Sequence, residues 1–131
     1  MLSAASDGDA RELARLLRND ADVEERSIAG LSPLHLAAMD GHEAAVRVLL
    51  RNNADTTASE DEHGMSPLHL AAVNGHEGVV RLLLEKNADI AASGLGDDSP
   101  LHLAAGNGHE GVLRLLLDNN ADIKATNKSG D

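Results

Sequence analysis

The chain has no phenylalanine, tyrosine or tryptophan, no cysteine, and only three prolines. Without aromatics its core must be built from Leu, Val, Ile, Met and Ala. These bury less area per residue, so stacking of small units has to compensate. Without cysteine there are no disulfides and no thiol chemistry. Basic residues are also scarce: 11 Lys and Arg stand against 22 Asp and Glu, a formal net charge of −11. Nucleic-acid binding needs clustered cations for phosphates and aromatic platforms for bases, and the sequence offers neither. An acidic surface favours basic partners instead. No apolar run approaches the ~20 residues of a membrane span, and no basic n-region leads into an apolar h-region. The default expectation is therefore an intracellular protein, in the cytoplasm or nucleus.

What is present is repetition. The heptapeptide SPLHLAA occupies residues 32–38, 66–72 and 99–105, at spacings of 34 and 33 residues. A period of this length describes one supersecondary unit, which cannot bury its apolar face alone. Ser32, Ser66 and Ser99 suit a helix N-cap, where the hydroxyl accepts an otherwise orphaned backbone N–H. Pro33, Pro67 and Pro100 follow at the first helical position, where the missing N–H costs nothing. Gly41, Gly75 and Gly108 come eight residues later and suit the left-handed position that closes a helix, so this first helix is short. A second helix is expected to start at His42-Glu43, His76-Glu77 and His109-Glu110 and to end near Asn52, Lys86 and Asn119. Its apolar residues, such as Val79, Val80, Leu82, Leu83 and Leu84, or Val112, Leu113, Leu115, Leu116 and Leu117, are too many for one stripe and require cover on more than one side. Glu43, Glu77 and Glu110 each precede an arginine, Arg47, Arg81 or Arg114, by four residues. That order predicts exposed ion pairs worth ~0.3 to 0.5 kcal/mol each.

The helix start, the Gly-His turn and the Ala-Asp endings at Ala54-Asp55, Ala88-Asp89 and Ala121-Asp122 together resemble the ankyrin repeat. The resemblance covers essentially the whole chain. It implies an all-α solenoid of antiparallel helix pairs stacked side by side and joined by projecting β-hairpin-like loops. Loops and first helices would then line a concave face. On this pattern residues 1–131 form a single domain: an N-terminal capping repeat at 1–26, repeats at 27–60, 61–93 and 94–126, and the start of a further hairpin at 127–131. The first repeat lacks the proline and histidine. It keeps Ala4 and Ala5, Gly8 and the apolar Leu13, Leu16 and Leu17, with a polar remainder that suits a face meeting water. Two positions depart from the family pattern. The tip glycine present as Gly30 and Gly64 becomes Asp97, which predicts an altered turn, and the glycine before Ala-Asp is replaced by Asp20, Asn53, Asn87 and Asn120. The fourth repeat has no polar substitutions of the capping kind, which predicts a piece of a longer array or an end buried against something else.

Two constellations invite a catalytic or metal reading. Each repeat sets Ser and His three apart: Ser32 with His35, Ser66 with His69, Ser99 with His102. A nucleophile and base would also need an orienting acid and an oxyanion site. An N-cap serine already commits its oxygen to the backbone, and the resemblance implies that this histidine ties neighbouring loops together. Six of the seven histidines are two positions repeated three times, a ladder whose rise cannot bring ligands to the ~2.0 to 2.1 Å that zinc requires. His63, beside Glu60, Asp61 and Glu62, is expected in a solvated acidic loop. No phosphate-cradling glycine motif occurs. The expectation is a non-enzyme with no cofactor, no metal and no small-molecule substrate.

The resemblance implies that partners touch residues flanking the hairpin tips and those before the turn glycine. By position these are Ile28, Leu31, Met39 and Asp40; Glu62, His63, Met65, Val73 and Asn74; and Leu95, Asp98 and Asn107. Leu31, Met39, Met65 and Val73 are expected as a contiguous exposed apolar patch, with Asp7, Asp40, Glu62 and Asp98 as its acidic rim. The plainer alternative is that these side chains pack against their own loops. The expected function is a non-catalytic protein–protein interaction module that takes a protein or peptide segment with apolar anchors and basic flanks. A structural or engineered repeat scaffold without a partner of its own is the alternative, suggested by near-identical repeat cores.

Overall fold

Each Ser-Pro step becomes a helix start. In the computed structural model, which describes residues 1–86, 88–91, 94 and 98–119, Ser32, Ser66 and Ser99 are extended N-caps whose hydroxyls accept the N–H of His35, His69 and His102. The first helices are α1 (Leu2–Asp7), α3 (Pro33–Met39), α5 (Pro67–Val73) and α7 (Pro100–Gly106); the second are α2 (Ala10–Arg18), α4 (Glu43–Arg51), α6 (Glu77–Glu85) and α8 (Glu110–Asp118). The first helices stop where glycine turns left-handed: φ is 73° at Gly8, 74° at Gly41 and Gly75, and 70° at Gly108. The second helices α2 and α4 end on left-handed Asp20 (φ 66°) and Asn53 (φ 62°), so the polar substitutes do take the glycine's backbone conformation there. Asn87 and Asn120 lie outside the described residues.

The Ala-Asp ending also has a local role. Asp22, Asp55 and Asp89 each accept the N–H two residues ahead, from Glu24, Thr57 and Ala91, at 2.8 to 2.9 Å. This Asx turn redirects the chain from the second helix into the next hairpin.

Helices α1, α3, α5 and α7 pack in succession as one row, α2, α4, α6 and α8 as a second, and each pair packs together. Between the rows the contact is made of small residues facing large ones. Ala5, Ala37, Ala38, Ala71, Ala72 and Ala104 are fully buried in the first row; Leu13, Val46, Leu49, Val79, Val80, Leu83 and Leu116 fill the second. The alanines let backbones approach, and the aliphatic side chains fill the space that aromatics would otherwise occupy. Cover weakens along the array at one position: Leu50 is buried, Leu84 half-buried and Leu117 36% exposed. The expectation of all-round cover therefore fails at Leu117, because among the described residues α8 has a second-row neighbour on one side alone.

The expected Glu–Arg pairs are corrected as well. Among the described residues the carboxylate–guanidinium pair is Glu12 with Arg15, three residues apart. Glu43 instead leans across to the next repeat, where its carboxyl carbon lies 2.4 Å from the place a Cβ on Gly78 would occupy, and Glu77 leans over Gly111 in the same way. Glycine at the second position of α6 and α8 leaves a notch at the positive end of the helix, and the carboxylate of the preceding repeat reaches into it.

The hairpin-like loops are closed by single main-chain bonds: Ser27 N–H to Leu31 O (2.9 Å), Glu60 N–H to Met65 O (2.9 Å) and Gly94 N–H to Asp98 O (3.0 Å). In the first, Gly30 N–H also reaches Ser27 O at 2.9 Å. Ile28 and Ala29 are absent from the positive-φ residues, whereas Gly30 has φ 79°. This is a type I turn followed by a left-handed glycine, the usual three-residue hairpin. Asp97 lies outside the described residues. No strand is formed among those described, and no helix is long and apolar enough to cross a membrane.

Candidate partner-binding surface

Two ladders of histidine hold this surface. In the first, His35 Nδ1 accepts the Ser32 N–H at 3.0 Å while Nε2 lies 3.1 Å from Met65 O in the next hairpin. His69 repeats the arrangement with Ser66 N–H (3.1 Å) and Asp98 O (2.9 Å). An acceptor nitrogen facing an N–H and a donor nitrogen facing a carbonyl define the neutral Nε2–H tautomer. The histidine takes the place of the glutamate in a capping box and adds a tie to the following repeat. Burial holds the His35 imidazole below the usual histidine range, partly offset by its bond to Met65.

The second ladder runs the other way. His42 Nε2 meets Ser6 O at 2.9 Å, His76 meets Met39 O at 3.0 Å, and His109 meets Val73 O at 2.9 Å. These residues are N-caps of α4, α6 and α8 but make no side-chain cap, because the ring is turned back onto the preceding repeat. There it covers the left-handed glycine: a Cβ on Gly8, Gly41 or Gly75 would stand 2.5 to 2.6 Å from the Nδ1 of His42, His76 or His109. Sequence reasoning took His42, His76 and His109 as helix starts and missed this function. The signal available was a histidine immediately after the glycine in every full repeat.

The proposed contact residues fall around these ties. Met39 and Val73 end α3 and α5, and Asp40, Asn74 and Asn107 are the exposed C-cap residues that follow α3, α5 and α7. The Asn74 amide donates to Met39 O at 3.2 Å, so these two neighbours on adjacent repeats are brought together. Leu31, Met65 and Asp98 close their hairpins. Met65 is also brought against the third hairpin, its Cγ 3.9 Å from where a Gly94 Cβ would stand. Leu31, Met39, Met65 and Val73 are half-buried, so the expected exposed patch is in fact a ledge, part of each side chain being spent on the fold. Ile28 is set apart from the ledge, fully exposed at 105%. Glu62 and His63 are exposed at the second tip, 3.9 Å apart, and Leu95 lies outside the described residues.

The acidic loop around His63 is solvated as expected at Asp61, Glu62 and His63, and departs from that expectation at Glu60. Glu60 is buried, and its carboxylate accepts the N–H of Glu62 (2.8 Å), His63 (2.7 Å) and Met65 (3.1 Å), so it is the organising centre of the longer hairpin. Burial pushes its carboxyl up, but the three backbone bonds together hold it below the ordinary carboxylate range. Arg26 fastens the first hairpin to the second, donating to Gly30 O and, at 3.1 Å, to Ser59 O.

The Ser–His pairs have hydroxyl-to-Nδ1 distances of 2.8 to 2.9 Å. Yet Ser32, Ser66 and Ser99 are buried, and in His35 and His69 the Nδ1 lone pair already accepts a backbone N–H while Nε2 faces a carbonyl, so neither ring has a lone pair to spare for base catalysis. Among the described residues no group of three or more His, Asp or Glu is placed to hold a metal. A family model of ankyrin repeats in three copies matches residues 1–94, and a single-repeat model matches residues 96–128. No curated protein matches the sequence.

Proposed function

Since the chain belongs to the ankyrin repeat family, whose members are generally protein–protein interaction modules, we propose that it is a non-catalytic module binding a partner segment along the ledge of Leu31, Met39, Met65 and Val73. One observation supports this: the histidine ladders grip the carbonyls of Met39, Met65 and Val73, three of the four ledge residues, and of Asp98 on the rim, besides that of Ser6 in the first repeat. Their main chain is thereby fixed, and their side chains are presented at little entropic cost on binding. Half-exposed apolar groups flanked by Asp40, Glu62 and Asp98 favour a segment with apolar anchors and Lys or Arg on either side. The intracellular setting belongs to the same proposal.

The test is a selection of peptides displayed from a broad proteome library, run in parallel on the Met39→Gln, Val73→Gln double variant. Enrichment of a shared motif with apolar and basic positions, lost on the variant, is the expected outcome. Enrichment that the variant retains would rule out the ledge.

A further inference from the structure

The turn between α5 and α6 closes on Asn74-Gly75. Asparagine before glycine is the pair in which the next main-chain nitrogen reaches the side-chain carbonyl carbon least hindered, because glycine has no Cβ in the way. In the folded turn both reacting groups are engaged. Gly75 N–H donates to Ala72 O at 3.2 Å, and the Asn74 amide donates to Leu70 O at 3.0 Å and to Met39 O at 3.2 Å. The next repeat closes the site: His109 Nε2 meets the Val73 carbonyl at 2.9 Å and its ring lies over Gly75, so the main chain is held on both sides of Asn74. Asn74 itself is exposed to water. In repeat two the same position is Asp40, with φ −96° and ψ 2° against −99° and 2° at Asn74. A carboxylate is therefore accommodated in this turn. Among the described residues the tie from that turn to Ser6 is made by His42 alone.

We propose that Asn74-Gly75 is a self-modifying site, guarded by His109, that converts to aspartate or isoaspartate when the contact between the third and fourth repeats opens. The Gly75 nitrogen attacks the Asn74 side-chain carbonyl carbon. An N–C bond forms, the bond from that carbon to Nδ2 breaks, and ammonia leaves with the proton the Gly75 nitrogen gives up. Water then opens the five-membered imide at either carbonyl, giving aspartate or isoaspartate. No oxidant or second protein takes part. The amide that reached the Met39 carbonyl becomes a carboxylate that repels it, and that carbonyl keeps only the His76 bond. Because ammonia is lost, reclosing does not restore the link, and an opening on one side of the third repeat leaves a lasting weakness on its other side. The new charge also falls on the ledge proposed above as a partner site, but the conversion itself does not depend on that reading.

The test holds the chain in mildly alkaline buffer, folded and, for reference, in urea. Trypsin cuts after Arg51 and Arg81, so one peptide carries Asn74 apart from the Asn107-Gly108 step. Mass spectrometry with fragmentation reads the amide-to-acid change at each asparagine, and an isoaspartyl methyltransferase assay reads the isomer. Conversion at Asn74 is expected in the folded chain, more slowly than in urea, because opening must come first. His109→Ala removes one bond and uncovers Gly75, and should speed the folded-state conversion about three- to tenfold. His42→Ala removes the matching tie between the first two repeats and should leave the Asn74 rate unchanged. Far-UV helicity checks that both variants are folded. A further measurement needs no variant: the same opening frees the Gly75 N–H, so its protection from hydrogen exchange should match the ratio of the urea rate to the folded rate. No conversion at Asn74 in the folded chain, His109→Ala no faster than the wild type, equal acceleration by His42→Ala, or Gly75 protection far from that ratio would overturn the proposal.

Discussion

His35 and Glu60 are polar residues buried where hydrophobic ones would be expected, and each has every functional atom engaged. Removing either leaves backbone groups orphaned. His35→Ala strands the Ser32 N–H and takes from the Met65 carbonyl one of its two donors, leaving it the Glu60 N–H, and should destabilise by about 1 to 3 kcal/mol, measured by urea denaturation. The same residues set the response to acid. A histidine depressed below its ordinary value of 6.5 binds its proton more readily unfolded, so its contribution is complete above that pH and is lost as pH falls. Glu60, depressed below 4.5, adds a second loss at lower pH, when its carboxylate takes a proton and releases the loop. Unfolding free energy against pH should therefore fall in two stages, and Glu60→Gln should flatten the lower one. The histidine's tie to the neighbouring loop was implied by the family resemblance. The part of Glu60 could not be read, because nothing in Glu60-Asp61-Glu62 says which of three adjacent acids turns inward; backbone geometry alone decides that.

At the scale of elements, two classes of glycine behave oppositely. Gly78 and Gly111 sit in helices with no left-handed backbone, and a Cβ there meets only the flexible end of Glu43 or Glu77. Alanine at either should raise stability by about 0.5 to 1 kcal/mol. Gly75 and Gly108 share the left-handed backbone, but a Cβ on Gly75 runs into the His109 ring whereas Gly108 faces open space. Gly75→Ala should cost more than Gly108→Ala in thermal or urea denaturation, and the difference measures the histidine overlap free of backbone strain. Helix starts and helix ends were legible because each depends on a local rule, a cap, a proline or a left-handed glycine, whereas the two-row stack was legible through the family resemblance. The Glu43-to-Arg47 pair was misread because intrahelical spacing says nothing of the notch that Gly78 opens in the neighbouring helix. The ledge was misread as an exposed patch for a similar reason, since how far Met65 or Val73 sinks depends on the next repeat.

For the whole molecule the dominant global quantity is charge. With a net charge of −11, folding brings like charges together. Raising salt from about 0.01 M to about 1 M shortens the screening length from about 30 Å to about 3 Å, so the thermal midpoint should rise across that range. Calorimetry would check this without the aromatic absorbance the chain lacks; a midpoint falling with salt would mean that attractive pairs dominate. The interfaces themselves depend little on charge. The histidine ties end on main-chain oxygens of Ser6, Met39, Met65, Val73 and Asp98, residues with no side-chain chemistry in common. A unit gripped through its backbone can be duplicated, lost or exchanged in the course of descent without its neighbours having to change. The side chains on those same residues are left free to diverge, so the cohesion of the array and its choice of partner can be inherited separately.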